Sequence, residues 1–221
     1  MASEFKQNTQ SDRPGLVYAG RKIEEESFQI IEAEMGPHKF PPAQWQIIRR
    51  IIHTTGYFDY APWIRFHPFA IETGCSALRD GATIFTDTRM IQTGLSPWRL
   101  NWFGSEIITP VTANESQEWA EQMGTTRSVA AFRRCSSQLN GSIVAIGNAP
   151  TALLEVVRLV QEEEIQPALI IGVPVGFVQA AESKEALLRL DKQPAITVLG
   201  RKGGSTVAVA ILHALMEWAR N

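Results

Sequence analysis

One pattern repeats three times in the second half of the chain and restricts the fold more than any other feature. A short apolar run ending in glycine is followed by a loop and then by a stretch with helical periodicity. The runs start about 26 residues apart, which fits βα units better than hairpins. Continuous apolar strands are typical of a parallel sheet that is covered on both faces. The sequence therefore predicts an α/β fold of three layers, α/β/α, with a mainly parallel, Rossmann-like sheet. The three runs are SIVAIG (142–147), ALIIG (168–172) and AITVLG (195–200).

The first half of the chain is less regular, and its pattern predicts helices more clearly than strands. GATIFTD (81–87) is a candidate strand, and EIITPV (106–111) is a weaker one. No long polar linker or low-complexity tract marks a domain boundary, so we expect a flexible tail over residues 1–15 and a single domain over 16–221. The predicted helices lie within residues 20–34, 41–56, 115–123 and 126–139.

Composition excludes several classes of protein. The formal net charge of −2 argues against a nucleic-acid surface, which would need a clustered basic excess. Cys75 and Cys135 are the only cysteines, too few for a disulfide scaffold and without metal-ligand spacing. The apolar run 168–178 is too short to span a bilayer, and the N-terminus has no apolar signal region. We therefore expect a soluble, cytoplasmic protein that binds neither membranes nor nucleic acids.

The predicted carboxyl ends of the strands are rich in glycine. Ligands of an open parallel sheet bind at this edge, and the helix N-termini that follow favour anions. Neither a complete phosphate loop nor a G-x-G-x-x-G motif is present. Simpler interpretations also stay open here: Asn148 and Ser205 as helix-start residues, and Lys184 in a solvated charged turn. The segments concerned are TDTRM (86–90), GNAPT (147–151), GVPVGFV (172–178) and GRKGGS (200–205).

His53 lies near the end of the helix predicted over residues 41–56. A helical wheel places the tryptophan and the isoleucines on one side and His53 opposite, on a polar face with Arg49 and Arg50. The helix dipole favours a charged imidazole, and the arginines disfavour a second positive charge unless a carboxylate-rich ligand binds. The histidine is therefore either an exposed last-turn residue or an acid–base group. The two threonines and the glycine after it indicate the end of the helix.

Five segments of the chain form an ordered set: RRIIHTTGYFDYA, GATIFTDTRM, GSIVAIGNAPTALLEV, ALIIGVPVGFVQAAESKEAL and GRKGGSTVAVAILHAL. Together they resemble the precorrin-8X methylmutase family of cobalamin biosynthesis. The resemblance runs from about Ser27 to about Trp218, and the segments stand in the family's order. Two positions depart from the family pattern: Tyr57, where aspartate is expected, and His213, where asparagine is commoner.

The resemblance implies an isomerase that moves a methyl group from C-11 to C-12 of precorrin-8X or cobalt-precorrin-8, giving hydrogenobyrinate or cobyrinate. It implies no cofactor and no metal site, a homodimer with active sites near the subunit interface, and hand-over of the tetrapyrrole product to the next pathway enzyme. His53 matches the family's histidine that interacts with a ring nitrogen. The expected substrate-binding residues are Ser27, Arg49, Thr86, Asp87, Met90, Arg127, Asn148, Val175, Gly176, Phe177, Ser183, Lys184, Arg201 and Lys202.

The implied substrate is chemically compatible with these residues. A flat apolar macrocycle fringed by carboxylates needs an apolar cleft with cations at its edge, which Arg127, Arg201 and Lys202 would supply. An intramolecular methyl shift needs neither a leaving group nor a protein nucleophile. Two alternatives stay open: a nucleotide-binding α/β enzyme, suggested by the glycine-rich strand ends, and a corrinoid carrier without catalysis. Both the metal-free and the cobalt-containing substrate are compatible with the sequence.

Overall fold

The computed structural model describes residues 14–221, with side chains from Gly20 onward. The chain divides into two compact units: the first ends at His38, and the second runs from Lys39 to Asn221. The described part of the first unit is a helix, α1 (Pro14–Met35), which ends at Gly36 in the left-handed conformation (φ +63°). The predicted tail lies outside the described residues up to position 13, and its last two residues belong to α1. A single domain over 16–221 stays a prediction.

The second unit is built on a six-stranded sheet, counted within the described residues. The strand order is β1-β6-β5-β4-β2-β3, and every neighbouring pair is parallel except β1 with β6. The predicted mainly parallel sheet is therefore confirmed, with one antiparallel edge strand that the sequence did not reveal. The strands are β1 (Ile64–Phe66), β2 (Ile84–Thr86), β3 (Ile107–Ile108), β4 (Ile143–Ile146), β5 (Leu169–Gly172) and β6 (Ala195–Val198).

Helices cover both faces of this sheet. On one face α11 packs against α2, α4 and α5, and on the other face α9 packs against α8 and α10. The helices of the second unit are α2 (Pro42–Thr55), α3 (Tyr60–Trp63), α4 (Ala70–Arg79), α5 (Arg89–Gly94), α6 (Pro97–Leu100), α7 (Ser116–Met123), α8 (Arg127–Arg134), α9 (Pro150–Glu162), α10 (Ala180–Leu188) and α11 (Ser205–Arg220).

The three predicted apolar runs form the centre of the molecule. All residues of β4, β5 and β6 are buried, because helices lie above and below them. Ile170 of β5 packs in a core with Val144 of β4, Leu153 of α9 and Phe132 of α8. The carboxyl ends of β2, β4, β5 and β6 point to the same edge of the sheet. This packing fixes the positions of the loops that leave that edge.

Candidate functional site

The loops at this edge pack closely against one another, and we refer to residues 86–90, 147–151, 172–179 and 199–205 as the rim. The Gly204 N–H donates to the Val173 carbonyl at 2.8 Å, and the Gly176 N–H donates to the Arg201 carbonyl at 3.2 Å. Gly203 has φ +151°, and a Cβ added to it would lie 2.2 Å from the Val173 oxygen. Glycine is therefore required here for both conformation and space. These hydrogen bonds hold the loops after β5 and β6 together.

Asp87 connects β2 to the loop after β4. Its buried carboxylate accepts hydrogen bonds from the backbone N–H groups of Gly147, Asn148 and Ala149 at 2.9, 2.8 and 2.7 Å. Burial raises the pKa of Asp87, and the three N–H donors act against that shift. The carboxylate therefore determines the path of the backbone that begins α9. In this conformation Asp87 is directed at the protein backbone.

Lys184 and Ser183 are buried at the start of α10. Lys184 has no exposed surface, and its Nζ donates to the carbonyl oxygens of Gly200 at 2.8 Å and Lys202 at 2.6 Å. Ser183 Oγ donates to the Ala180 carbonyl at 3.0 Å. The solvated charged turn that the sequence left open for Lys184 is wrong, because its side chain is buried and its Nζ bonds to the loop after β6. In this conformation neither side chain presents a surface to a ligand.

The buried ammonium of Lys184 makes stability depend on pH. Burial lowers its pKa to about 8, whereas lysine in an unfolded chain titrates near about 10.4. Between these values the unfolded state holds a proton that the folded state has released, so the free energy of unfolding rises with pH. From pH 7.5 to 9.5 we expect this group to add up to about 2 kcal/mol, a gain that Lys184→Met lacks. Urea titrations of both proteins at the two pH values measure it; equal pH slopes would contradict the assignment.

His53 lies in the last turn of α2 with an exposed side chain. The helix ends at Gly56 in the left-handed conformation (φ +73°), whose N–H donates to the Ile52 carbonyl at 2.7 Å. Thr54 and Thr55 donate their hydroxyls to carbonyls one turn back, each at 2.8 Å. The predicted helix end is confirmed, and it presents the imidazole to the surface.

The predicted polar face of α2 needs one correction. Arg50 is 8% exposed, so it does not share a solvated face with His53, and Arg49 is half-buried. On the wheel Arg50 flanks the apolar side, and it lies where α11 packs along α2. A concavity of about 310 Å³ lies between α2, α5 and α11, and its lining includes Arg50, Met90 and Thr206. Met90, a predicted site residue, is thereby placed beside the helix that carries His53.

The segment that follows α2 is tied to the rim by Asp59 and Tyr60, which sequence analysis did not single out. Lys202 Nζ forms an ion pair with Asp59 Oδ2 at 2.8 Å and lies 5.8 Å from the centre of the Tyr60 ring. Burial raises the pKa of Tyr60, while Lys202 and the N–H of Gly203 act against that shift. Nothing in the sequence around Asp59 and Tyr60 indicates these contacts, because their partner Lys202 lies more than a hundred residues away.

Apolar side chains project from the rim beside cations. Phe177 is 83% exposed, and Val175 and Val178 are also exposed. The Arg201 guanidinium lies 5.0 Å from the centre of the Phe177 ring, a cation–π contact. Arg127, at the first turn of α8, is exposed and donates to the Val111 carbonyl at 3.1 Å. Exposed apolar patches with a polar border are typical of ligand or partner sites.

Asn148 and Thr86 occupy opposite environments on the rim. Asn148 is exposed, and the residue before the first turn of α9 is Ala149, so the interpretation of Asn148 as a helix cap is wrong. Thr86 is buried, and its hydroxyl lies 2.7 Å from that of Thr109. Ser205 is the first residue of α11 and makes no cap bond; its hydroxyl lies 3.1 Å from that of Thr88. Asn148 is thus exposed to solvent, whereas the Thr86 hydroxyl is occupied by a buried hydrogen bond.

The remaining predicted residue and the two departures from the family pattern lie in different places. Ser27 lies on α1 in the first unit and is half-buried. Tyr57 is exposed, and its N–H donates to Thr55 Oγ1 at 3.3 Å. His213 on α11 accepts a hydrogen bond through Nε2 from the Ser96 N–H at 3.1 Å, which fixes the start of α6. The His213 side chain therefore has a local structural role, whereas the bond at Tyr57 involves only its backbone.

A second concavity, of about 980 Å³, opens at the opposite edge of the sheet. Its lining includes Ala168 and Pro194, which precede β5 and β6, and Asp80 at the end of α4. None of the residues predicted for the site lines it. Most of the residues predicted for the site therefore lie on the rim or near the end of α2. The exceptions are on α1, α8 and α10: Ser27, Arg127, Ser183 and Lys184.

Comparison with known proteins identifies the family. The precorrin-8X methylmutase family model matches residues 22–218. The chain belongs to the precorrin-8X methylmutase family. It is 48% identical over 204 residues to the cobalt-precorrin-8 methylmutase of Leptospira interrogans, covering 89% of this chain and 93% of the relative. It is 39% identical to the precorrin-8X methylmutase of Pseudomonas aeruginosa, covering 89% and 94%.

A solved structure supports the same assignment. The precorrin-8X methylmutase of Thermus thermophilus superimposes with a TM-score of 0.85 at 45% identity, covering 90% of this chain and 96% of that one. Membership of this family makes the chain an isomerase of cobalamin biosynthesis, as the sequence resemblance implied. The alternative of a nucleotide-binding enzyme is not supported. Among the described helices, none is long and apolar enough to cross a bilayer.

Proposed function

We propose that this methylmutase moves a methyl group from C-11 to C-12 of precorrin-8X or its cobalt-containing form at the rim. The observation that carries the proposal is the exposed apolar loop 175–178 bordered by Arg201 and Lys202, with His53 exposed at the end of the adjoining helix. An apolar macrocycle with carboxylates at its edge fits such a surface. The product is hydrogenobyrinate, or cobyrinate when cobalt is present.

The substrate is oriented by two kinds of contact. The macrocycle lies against Val175 and Phe177, whose side chains expose apolar area. Its acetate and propionate groups pair with the guanidinium groups of Arg127 and Arg201 and with Lys202. Orientation matters because the reaction is intramolecular: catalysis consists of holding the reacting carbons and the ring system in one geometry.

His53 supplies the chemical step. Its imidazole donates a proton or hydrogen bond to a nitrogen of the ring from which the methyl group migrates. Electron density is drawn toward that nitrogen, which favours the rearranged, more conjugated product. The shift is a suprafacial [1,5] migration in which one C–C bond breaks as another forms, so no protein nucleophile takes part. No cofactor is required by this scheme.

The assembly is proposed from the family resemblance. The enzyme acts as a cytoplasmic homodimer with its active sites near the subunit interface, and passes its product to the next enzyme of the pathway. The exposed apolar residues of the rim, such as Phe177 and Val178, support a surface that is covered when substrate and partner are present. Sedimentation of the purified protein measures the oligomeric state.

A spectral assay tests the proposed reaction. Purified protein at one-hundredth of the substrate concentration is added separately to precorrin-8X and to cobalt-precorrin-8. We expect complete conversion to the product spectrum with at least one form, because an isomerase turns over. The relative kcat/KM values identify the natural form. A spectral change that stops at one equivalent per subunit would identify a corrinoid carrier and contradict the proposal.

A further inference from the structure

We propose that Lys184 is a positioning residue for the substrate carboxylates. It fixes the backbone of the loop between β6 and α11 and thereby determines where Arg201 and Lys202 project. The inference rests on the proposed function, in which those two cations bind the carboxylates. Lys184 itself does not touch the substrate.

The hydrogen bonds of the loop carry the inference. Lys184 Nζ donates to the Gly200 and Lys202 carbonyls, the two that flank Arg201. The carbonyl of Arg201 itself accepts from the Gly176 N–H at 3.2 Å. Three consecutive carbonyls are thus held by groups from the segment that follows β5. Because the carbonyls of residues 200–202 are all held, the side chains of Arg201 and Lys202 project from a fixed backbone.

An ammonium group is required for this arrangement. Two carbonyl oxygens converge on one buried point, and a lysine side chain delivers several N–H donors there from a long apolar stem. Within residues 20–221, whose side chains the structure describes, no carboxylate lies within ion-pair distance of Lys184, so its charge is balanced by the carbonyl dipoles alone. A buried lysine in this setting is unfavourable unless its hydrogen bonds are formed. Its bonds are directed at the one loop that carries both cations.

The side chains on the loop are held in turn. Arg201 lies over the Phe177 ring, and Lys202 pairs with Asp59 at 2.8 Å. The positions of both cations therefore depend on the backbone path that Lys184 sets. The carboxylates of the substrate do not change during a methyl shift on the ring. Loss of their orientation should weaken substrate and product binding equally and leave the chemical step nearly unchanged.

The test compares Lys184→Met and Lys184→Arg with Lys192→Met, an exposed lysine outside the site. KD for hydrogenobyrinate is measured by absorbance titration, and kcat and KM with the substrate form that turns over. We expect Lys184→Met to raise KD and KM by about tenfold or more, with kcat within about threefold of wild type. Lys184→Arg should restore part of the affinity, and Lys192→Met should match wild type. A purely structural role would lower the active fraction, and thus kcat, without changing KM.

A second set of variants separates this inference from the proposed function. The double variant Arg201→Met/Lys202→Met should bind hydrogenobyrinate weakly, and adding Lys184→Met to it should change KD by less than about threefold, since Lys184 acts through those two residues. A triple variant that binds much more weakly than the double would overturn the positioning role. So would an unchanged KD in Lys184→Met beside a raised KD in the double variant. An unchanged KD in the double variant would overturn the carboxylate role of the cations themselves.

Discussion

Replacing His53 by alanine is expected to lower kcat by about 10²–10⁴-fold, the range for a positioned proton donor. The imidazole is exposed in the last turn of α2, so its loss opens no cavity. Folding and affinity for hydrogenobyrinate should therefore be retained. Stopped-flow absorbance with precorrin-8X measures the chemical step, and an absorbance titration measures product binding.

Two further variants sharpen this prediction. His53→Gln keeps an N–H donor without the ability to transfer a proton, so intermediate turnover would indicate that hydrogen bonding carries part of the effect. His67→Asn is the matched control, because His67 follows β1 and lies outside the candidate site. Its N–H donates to the Ala195 carbonyl at the start of β6, and its Nε2 lies 3.0 Å from the Asp191 carbonyl. That site is at the opposite edge of the sheet. Full turnover by His53→Ala would remove the donor role.

Replacing Asp87 by alanine should lower the free energy of unfolding by about 3–5 kcal/mol, because three buried or half-buried N–H groups lose a charged acceptor. The same change frees the turn from Gly147 to Ala149, and so displaces Asn148 and the first turn of α9. Weaker product binding should accompany the lost stability. Urea denaturation measures the first effect and absorbance titration the second.

The control for Asp87 is an aspartate at a helix end. Asp80→Ala removes an exposed carboxylate after α4, and its effect on the free energy of unfolding should stay within about 0.5 kcal/mol. Asp87→Asn preserves the shape of the side chain but turns an NH₂ group toward N–H donors. We therefore expect its loss of free energy of unfolding to lie between those of Asp80→Ala and Asp87→Ala. If the free energy of unfolding of Asp87→Ala falls by less than about 1 kcal/mol, water replaces the carboxylate in holding the turn, and the prediction is wrong.

Local patterns were sufficient for most of the fold. The apolar runs ending in glycine predicted β4, β5 and β6, and the proline and glycine around residues 41–56 predicted both ends of α2. The antiparallel strand β1 was missed because it is only three residues long, too short for an alternation of apolar and polar residues to be detected. The pairing of β1 with β6 depends on residues more than a hundred positions later in the chain.

Within the candidate site, the sequence by itself determined which chemical groups are available and at which edge of the sheet they lie. It placed His53 at a helix end and the glycine-rich turns after the strands. Only the tertiary structure decided what the buried polar groups contact. Asp87 bonds a turn 60 residues away, Lys184 bonds a loop 16 to 18 residues away, and Arg50 is buried where α11 packs along α2. Burial and hydrogen-bond partners are properties of the surrounding elements, so a charged side chain that looks like a ligand contact in sequence can instead hold the loop that carries the contact.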